Sequence, residues 1–258
     1  MMKAKTGVAG GTPQGFERVT VRQLPRRVIM RVGGLEKNGK THFALTAPAP
    51  LGILDLDRGL EGVLDKFLPT KEVYVKEFRN MPAKTDADHE RRWAEFESGY
   101  YTLLASPNIR TVIVDTDTES WELIRMAEFG KLTQVKAQHY SKVNTPYRKL
   151  VDAAFDSDKN VIFIARYKKQ YVKKQEASDD SAWNGKYEAA GFSELPFLVQ
   201  VNLRSTLTNA NGVLSPRIEV VNCRQNMQIA GEVFEDDMAA FPWVAASIVA
   251  GTSPEDWE

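Results

Sequence analysis

The chain has 258 residues, of which 43% are hydrophobic and 26% are charged, so it can bury a sizeable core and is neither a disordered nor a fibrous sequence. Lysine plus arginine and aspartate plus glutamate number 34 each, which excludes a protein that coats nucleic acid through bulk positive charge. One cysteine, Cys223, and three scattered histidines exclude a disulfide framework and form no zinc-binding pattern. Because the sequence has no apolar segment of membrane-spanning length and no secretory leader, we expect a cytoplasmic protein without a membrane partner.

Predicted strands and helices alternate along most of the chain. Residues 1–20 are rich in Gly and Thr and lack a hydrophobic period, so we expect a flexible leader before a single domain over residues 21–258. Apolar, β-branched runs predict strands, and apolar residues at helical spacing predict helices. In chain order these are a strand over 28–32, a helix over 41–46, a strand over 51–57, a turn of helix over 59–68, a short or edge strand over 73–75, a helix over 86–105, a strand over 111–115, helices over 119–130 and 145–155, and a strand over 161–165.

The last predicted elements form a hairpin. A long polar stretch extends to Ser193, and residues 199–207 and 213–222 then flank the turn sequence Asn209-Ala-Asn-Gly212. Two apolar runs around such a turn predict antiparallel strands. The earlier alternation of strand and helix is typical of a parallel sheet covered by helices. The sequence therefore predicts an α/β fold with a mostly parallel central sheet and a C-terminal antiparallel hairpin.

A glycine-rich segment, GLEKNGKT at residues 34–41, lies between the first strand and the first helix. It matches the phosphate-loop pattern G-x-x-x-x-G-K-[ST] without a mismatch. Glycines let backbone N–H groups approach the phosphates, and the lysine and hydroxyl of the pattern contact phosphate and Mg²⁺. A chance glycine-rich turn is the alternative. We predict that ATP and Mg²⁺ bind here, with nucleotide contacts from Gly34, Lys37, Asn38, Gly39, Lys40, Thr41 and His42.

An acid at the end of a predicted strand completes the magnesium site. Asp115 closes the run TVIVD, at the carboxyl end of a strand, where ligands collect in open α/β sheets. A phosphate loop needs such a carboxylate to hold the metal, so Thr41 and Asp115 are the predicted magnesium residues. Two alternatives stay open: Asp115 caps the next helix, or Asp117 and Glu119 share its role.

The order of phosphate loop, acid-terminated strand and TVIVD resembles the RecA-like branch of P-loop ATPases. In ILDLDRGLEG, the resemblance implies Asp57 as the general base, although the family usually has a glutamate there. After VIFIA, it implies a sensor for the terminal phosphate at Arg166. It also implies a basic residue that acts on a neighbouring subunit's nucleotide, at Arg224, with Arg217 and Arg204 as alternatives. The predicted catalytic residues are Lys40, Asp57 and Arg166.

The resemblance also concerns nucleic acid. In RecA-like proteins the loop after that strand contacts single-stranded DNA, and here it reads RYKKQYVKK, residues 166–174. Cations neutralise phosphates and tyrosines stack on bases, which is the chemistry of sequence-tolerant single-strand binding. In an extended chain, alternate residues from 167 to 173 share one face. The predicted DNA-binding residues are Tyr167, Lys168, Lys169, Tyr171, Lys173 and Lys174.

Less specific readings of the basic segments stay open. RYKKQYVKK could instead form a solvated β-ribbon whose lysines keep a sheet edge soluble. Residues 131–142 are a second, weaker candidate for DNA contact, for which an ordinary loop between helices is the alternative.

The pattern over residues 28–225 is similar to small phage-encoded ATP-binding proteins of the AAA-type or Sak-type family, which are RecA-like single-strand-annealing recombinases. This resemblance implies an ATP-dependent, single-stranded-DNA-binding protein of phage-type recombination. It also implies assembly into a ring or filament and a phage single-strand-binding or replication protein as a further partner. Two other functions stay open: a phage replicative helicase or helicase loader, and a nucleotide-gated interaction protein with little hydrolysis.

Overall fold

A computed structural model describes Gln14 and residues 26–130, 136–173, 181–210 and 212–258. The strands are β1 (Ile29–Gly34), β2 (Leu51–Asp55), β3 (Val73–Glu77), β4 (Thr111–Asp115), β5 (Asn160–Lys173), β6 (Ser181–Ala189), β7 (Val201–Ala210), β8 (Val213–Cys223) and β9 (Val233–Glu235). The α-helices are α1 (Lys40–Leu45), α2 (Asp86–Ala105), α3 (Asp117–Phe129), α4 (Ser141–Asp156), α5 (Leu195–Leu198) and α6 (Phe241–Ile248). Short 3-10 helices occupy Leu64–Lys66, Ala137–Tyr140, Met227–Ile229, Asp236–Met238 and Pro254–Trp257. Apart from Gln14, the predicted leader lies outside the described residues.

Within the described ranges, nine strands form one sheet in the order β3-β2-β4-β5-β1-β7-β8-β9, and β6 pairs with the outer part of β5. The strands from β3 to β7 in this order run parallel, so their carboxyl ends meet at one edge. β7 and β8 pair antiparallel along their whole length. The predicted fold class is therefore confirmed: an α/β fold with a mostly parallel central sheet and a C-terminal antiparallel hairpin.

Hydrophobic cores cover both faces of the sheet. One contains Phe43 of α1 and Phe241 of α6, and the other contains Phe96 of α2 and Tyr147 of α4. Because both faces are covered, every residue of β1, β2 and β4 is buried, and their sequences read as continuous apolar runs. None of the helices that the structure describes is both long and apolar enough to cross a membrane.

Hydrogen bonds from capping side chains determine where two helices begin. At α2, the Thr85 hydroxyl accepts from the Asp88 N–H, and the Asp88 carboxylate accepts from the Thr85 N–H. This capping box explains why the predicted helix over 86–105 is observed with the same bounds. α3 begins at Asp117, two residues before the prediction, because Thr116 caps it by accepting from the Glu119 N–H.

Two segments differ in type from the first expectation. After residue 165 the structure has, in place of the loop implied by the family resemblance, the β-ribbon that the sequence left open as the alternative: β5 continues to Lys173 and pairs with β6. Cross-strand pairs of aromatic, charged and small residues give this ribbon its stability, although it has no apolar run that would announce a buried strand. The predicted turn of helix over 59–68 consists of turns and the 3-10 helix Leu64–Lys66.

Candidate functional site

The phosphate loop connects β1 to α1 at the carboxyl edge of the sheet. Gly34 is the last residue of β1 and Lys40 is the first residue of α1. Gly39 has a φ of 82°, a left-handed conformation that glycine adopts without strain, and this lets the loop turn into the helix. The Ser205 hydroxyl on β7 donates a hydrogen bond to the carbonyl oxygen of Asn38. The loop is thus held from the neighbouring strand as well as by its own ends.

Lys40 is buried beside its own loop. Its Nζ donates to the carbonyl oxygen of Leu35 at 2.6 Å. Burial lowers the pKa of Lys40, while the nearby Asp115 and Asp57 favour the charged form. A phosphate oxygen would offer this ammonium group a charged acceptor in place of a neutral carbonyl, and such charge-assisted hydrogen bonds are stronger. The lysine is therefore positioned to respond to an anion in the loop.

The two predicted magnesium residues are in direct contact. The Thr41 hydroxyl donates to the Asp115 carboxylate, with 2.8 Å between Oγ1 and Oδ2. Burial and then the neighbouring Asp57 raise the pKa of Asp115 to about 7. Burial also raises the pKa of Asp55, which accepts from the Arg58 N–H at 2.9 Å. A cation would relieve this concentration of buried carboxylates, so the residues fit a magnesium ion.

The donor set is small for a metal ion held by protein alone. Within the described ranges, no three His, Cys, Asp or Glu side chains are grouped so that they could hold a metal. Magnesium requires near-octahedral oxygen coordination and is usually bound through one or two protein ligands together with water and substrate phosphates. The Thr41 and Asp115 pair therefore fits magnesium that arrives with a nucleotide.

Arg166 joins two acids across the mouth of the site. Its Nη2 lies 2.7 Å from Oδ2 of Asp57, and its Nη1 lies 2.6 Å from Oε1 of Glu119. The predicted base and the predicted sensor are thus paired with each other. Glu119 is occupied by this contact. Glu119, one of the alternatives to Asp115, therefore pairs with Arg166, whereas Asp115 contacts Thr41.

Asp117, the other alternative magnesium residue, faces the hydrophobic core. It is fully buried, and the Tyr147 hydroxyl donates to its Oδ1 at 2.6 Å. Burial raises the pKa of Asp117 to about 6. The Asp117 carboxylate is thus held by Tyr147 whereas Asp115 contacts Thr41, and a shared magnesium role for Asp117 stays a prediction.

A cleft of about 830 Å³ opens above the phosphate loop. It is lined by Glu36, Lys37, Asn38, Gly39, Lys40, Thr41, His42, Asp57, Arg58, Gly59, Glu61, Val63, Asp115, Thr116, Arg166 and Tyr167. Such a volume lies within the range of small-molecule sites. His42 is at the rim, with its ring edge-on to Phe67 at 5.0 Å between centroids. The cleft thus brings together the nucleotide, magnesium and catalytic residues that the sequence predicted, except Gly34, which lies behind the loop against Ser205.

The predicted DNA-binding residues up to Lys173 lie on β5, directly after the nucleotide cleft. Tyr167 lines that cleft, and beyond it Lys169 and Tyr171 are exposed on the ribbon. β5 pairs Lys169 with Tyr187 and Tyr171 with Trp183, and directly opposed residues of an antiparallel pair share a face. The ribbon therefore presents aromatic and cationic side chains together on one face, which we call the aromatic face: Tyr167, Lys169, Tyr171, Trp183 and Tyr187.

The cations of the ribbon differ in how far they are engaged. Lys168 lies on the opposite face and pairs with Glu188, at 3.3 Å between Nζ and Oε1. The Lys169 ammonium lies 5.0 Å from the centroid of the Trp183 ring, which leaves it accessible beside a stacking surface. Only the backbone of Lys173 is described, and Lys174 lies outside the described residues. The second, weaker candidate for DNA contact is the segment 131–142. Its residues 131–135 lie outside the described residues, and the remainder forms a 3-10 helix and the start of α4.

Arg224 lies at the opposite edge of the sheet from the phosphate loop. It follows β8, and its N–H donates to the carbonyl of Gln200, next to the start of β1. Its guanidinium donates to the carbonyl oxygens of Phe197 and Leu198. β1 is six residues long, so the two edges are roughly 20 Å apart. Arg224 cannot reach the nucleotide cleft of its own chain.

Several residues of the site were not predicted. Arg58, Gly59 and Glu61 line the nucleotide cleft, and Trp183 and Tyr187 complete the aromatic face. A signal for the last two was present, because SAWNGKYEA places aromatic residues around Asn-Gly, a strong turn or bulge sequence. The ladder shifts register at this point, and Gly185 has a φ of 81°.

The phosphate loop and the acid cluster at the carboxyl edge of a mostly parallel sheet together define a P-loop nucleotide-binding fold of the α/β class. A family model described as an AAA domain matches residues 26–213, which is more than half of the chain. The chain belongs to this AAA-domain family.

Solved structures with the same kind of fold are distant in sequence. A KaiC-like protein from the archaeon Pyrococcus horikoshii OT3 is 13% identical, with a TM-score of 0.47 over 81% of this chain and 84% of that chain. A RadB recombinase is 14% identical, with a TM-score of 0.46 over 82% of this chain and 87% of that chain. No curated protein sequence matches the chain significantly.

Proposed function

We propose that this protein is a magnesium-dependent ATPase that couples ATP binding and hydrolysis to the binding of single-stranded DNA, as in phage-type recombination. The observation that carries the proposal is the continuity of β5. Its residue Arg166 lines the nucleotide cleft, and the residues that follow form the aromatic face of the ribbon. One strand therefore connects a site suited to nucleotide with a surface suited to single strands.

The nucleotide half of the proposal assigns a task to each side chain in the cleft. Lys37, Asn38, Gly39 and His42 surround the phosphates or the cleft rim, Gly34 lets the loop pack against Ser205 behind them, and Lys40 donates to the phosphates. Thr41 and Asp115 hold magnesium, which neutralises phosphate charge when bound. Asp57 accepts a proton from the attacking water, for which its carboxylate must leave the ion pair with Arg166. Arg166 is then free to bind the anionic terminal phosphate.

The DNA half of the proposal is supported by the composition of the ribbon. Tyr171 and Trp183 are 59% and 45% exposed, which is high for side chains of this size. Exposed aromatic rings beside a lysine provide both stacking and phosphate neutralisation. The formal net charge of zero means that these contacts act locally. Lys173 and Lys174 would add two cations to the basic segment of the sequence.

The proposed assembly is a ring or filament of identical subunits. Arg224 supports it because it lies at the edge of the sheet opposite its own nucleotide cleft. A subunit stacked on that edge would receive this guanidinium in its own cleft. Arg204 pairs in register with Gly33 and Arg217 with Thr206, so both lie toward the nucleotide cleft of their own chain and not at the opposite edge.

The DNA contact is tested by changing Lys168, Lys169, Lys173 and Lys174 to alanine. We expect single-strand affinity to fall and its dependence on salt concentration to flatten, because fewer counterions are released on binding. Fluorescence anisotropy of a labelled oligothymidine, measured over a salt series, reports both quantities. A matched control replaces Lys84 and Lys149, exposed lysines elsewhere on the molecule. Unchanged affinity in the ribbon variant, or an equal loss in the control, would contradict the proposal.

One observation favours a second candidate, a nucleotide-gated interaction protein with little hydrolysis. Arg166 holds Asp57 in a close ion pair, so the Asp57 carboxylate is not free to contact a water molecule. In that case ATP would bind and alter the ribbon, but turnover would be negligible even with DNA present. Phosphate release measured with and without single-stranded DNA distinguishes the two functions.

A further inference from the structure

Two β-ribbons extend beyond the phosphate loop, one on each side of β1. The register pairs Gly34 with Arg166 on β5 and Gly33 with Arg204 on β7, and both partner strands continue past these positions. Between the β5–β6 ribbon and the β7–β8 hairpin lies a second cleft of about 350 Å³, which we call the inter-ribbon cleft. Its walls include Tyr167, Lys186 and Tyr187 from one ribbon and Arg204 and Thr206 from the other.

The side chains of the inter-ribbon cleft combine ring surfaces with positive charge. Tyr187 is 41% exposed and belongs to the aromatic face, so its ring is open to a planar ligand. Arg204 has an ion-pair partner in Glu219 on one of its nitrogens only, and among the described residues the Lys186 ammonium has no ion-pair partner. The buried Thr206 hydroxyl oxygen has no hydrogen-bond partner in the described part of the chain. The cleft therefore offers a stacking surface and two cations, with an unpartnered hydroxyl buried in its wall.

This combination matches one ligand chemistry. An unpaired nucleobase is a planar group with hydrogen-bonding edges, and its phosphate carries a negative charge. A nucleotide of a single strand therefore complements the ring surface and the cations of the cleft. The cleft volume is at the lower end of the roughly 300–1,000 Å³ that is typical of small-molecule sites, which allows one nucleotide but not several. Within the described ribbon, the aromatic face runs from Tyr171 and Trp183 to Tyr187 and Tyr167 at this cleft, so a strand bound along that face would reach the cleft.

We propose that the inter-ribbon cleft holds one unpaired nucleobase of the bound single strand, stacked on Tyr187, with Lys186 and Arg204 beside its phosphate. This inference rests on the proposed DNA function and adds a specific base-binding site to it. Tyr167 and Asn38 line both this cleft and the nucleotide cleft, and Tyr167 packs on Gly33 so closely that a Cβ there would lie 2.3 Å from its ring. The base and the ATP phosphates thus share a wall.

The test uses a short oligothymidine that carries one 2-aminopurine, whose fluorescence falls when the base stacks. We expect quenching when the wild-type protein binds this strand. Tyr187→Ala should lose most of the quenching and about tenfold in affinity, which is the typical effect of one stacked base. The salt dependence of single-strand affinity in Tyr187→Ala should stay as in the wild type, because no phosphate contact has been removed. Tyr187→Phe, which keeps the ring, should behave as the wild type does.

Tyr74→Ala is the matched control, because Tyr74 is 48% exposed and lies on β3 at the far edge of the sheet. If Tyr187→Ala binds and quenches as the wild type does, or if Tyr74→Ala loses as much, the inference is overturned while the proposed DNA function stands. If the wild-type protein binds no single strand at any salt concentration, the proposed function fails and the inference with it. A free 2-aminopurine deoxyribonucleotide should bind far more weakly than the strand, and equal binding would assign the cleft to a mononucleotide instead.

Discussion

The ionised form of Asp115 is buried beside the carboxylates of Asp57 and Asp55, and this lowers the free energy of unfolding. Folding raises the pKa of Asp115 from 3.8 to about 7, chiefly through burial. A carboxyl group with a raised pKa in the folded protein lowers the free energy of unfolding as pH rises between these two values, and the loss is complete above the higher one. Stability that depends on this group is therefore greatest at low pH.

Asp115→Asn should remove this cost in protein free of metal and nucleotide. We expect a melting temperature a few degrees above that of the wild type at about pH 8, and little difference at about pH 4. The asparagine Oδ1 can still accept from Thr41, so the fold is kept. Scanning calorimetry measures the difference in melting temperature between the variant and the wild type at each pH. A difference that is the same at both pH values would contradict this account. Mg-ATP should then stabilise the wild type strongly and the variant weakly.

The ion pair between Arg166 and Asp57 leads to a prediction about turnover. Asp57→Asn keeps the size of the side chain but removes the base, so we expect ATP turnover to fall about a hundredfold or more while nucleotide affinity stays close to that of the wild type. Phosphate release and a nucleotide-binding titration give the two numbers. Asp65→Asn, at an exposed acid of the nearby 3-10 helix, is the control and should keep full turnover. Undiminished turnover in Asp57→Asn would remove Asp57 from the catalytic role.

At the scale of elements, the phosphate loop and the ribbon meet where Tyr167 packs on Gly33. A Cβ at Gly33 would lie 2.3 Å from Cε1 of Tyr167, a distance that forces the ring to move. Gly33→Ala should therefore destabilise the wild-type protein by about 1–3 kcal/mol through overpacking. In a Tyr167→Ala background the same change should cost much less. Urea unfolding of the four proteins measures the coupling, and strict additivity would show that the loop and the ribbon are independent.

The elements also show what could be predicted from sequence. The phosphate loop and TVIVD were recognised because their chemistry fixes residue types at fixed spacing, and the buried strands were recognised because burial on both faces produces apolar runs. The ribbon was predicted only as the alternative to a DNA-contacting loop, because a two-stranded ribbon exposed to solvent leaves no such run in the sequence. A DNA-binding role for Trp183 and Tyr187 could not be predicted from the sequence, because it depends on the pairing of β6 with β5 that brings them beside Lys169 and Tyr171.

At the scale of the whole molecule, the sheet places two kinds of surface at one edge and Arg224 at the other. The carboxyl edge carries the nucleotide cleft, the inter-ribbon cleft and the aromatic face, all connected through β5 and the phosphate loop. Motif spacing could not predict this arrangement, because it depends on how far β5 and β7 extend beyond their neighbours. It explains how ATP at Lys40 and a strand at Tyr187 could influence each other.

The central claim is that ATP controls the binding of single strands. The most direct measurement is the affinity for a fluorescent oligothymidine with Mg-ATP, with Mg-ADP and without nucleotide, alongside duplex DNA of the same length and with particle mass followed in parallel. We predict that single strands bind more tightly than duplex, that the affinity differs between ATP and ADP by about tenfold or more, and that Lys40→Ala abolishes the difference. An affinity for single strands that is the same in all three nucleotide states would contradict the account.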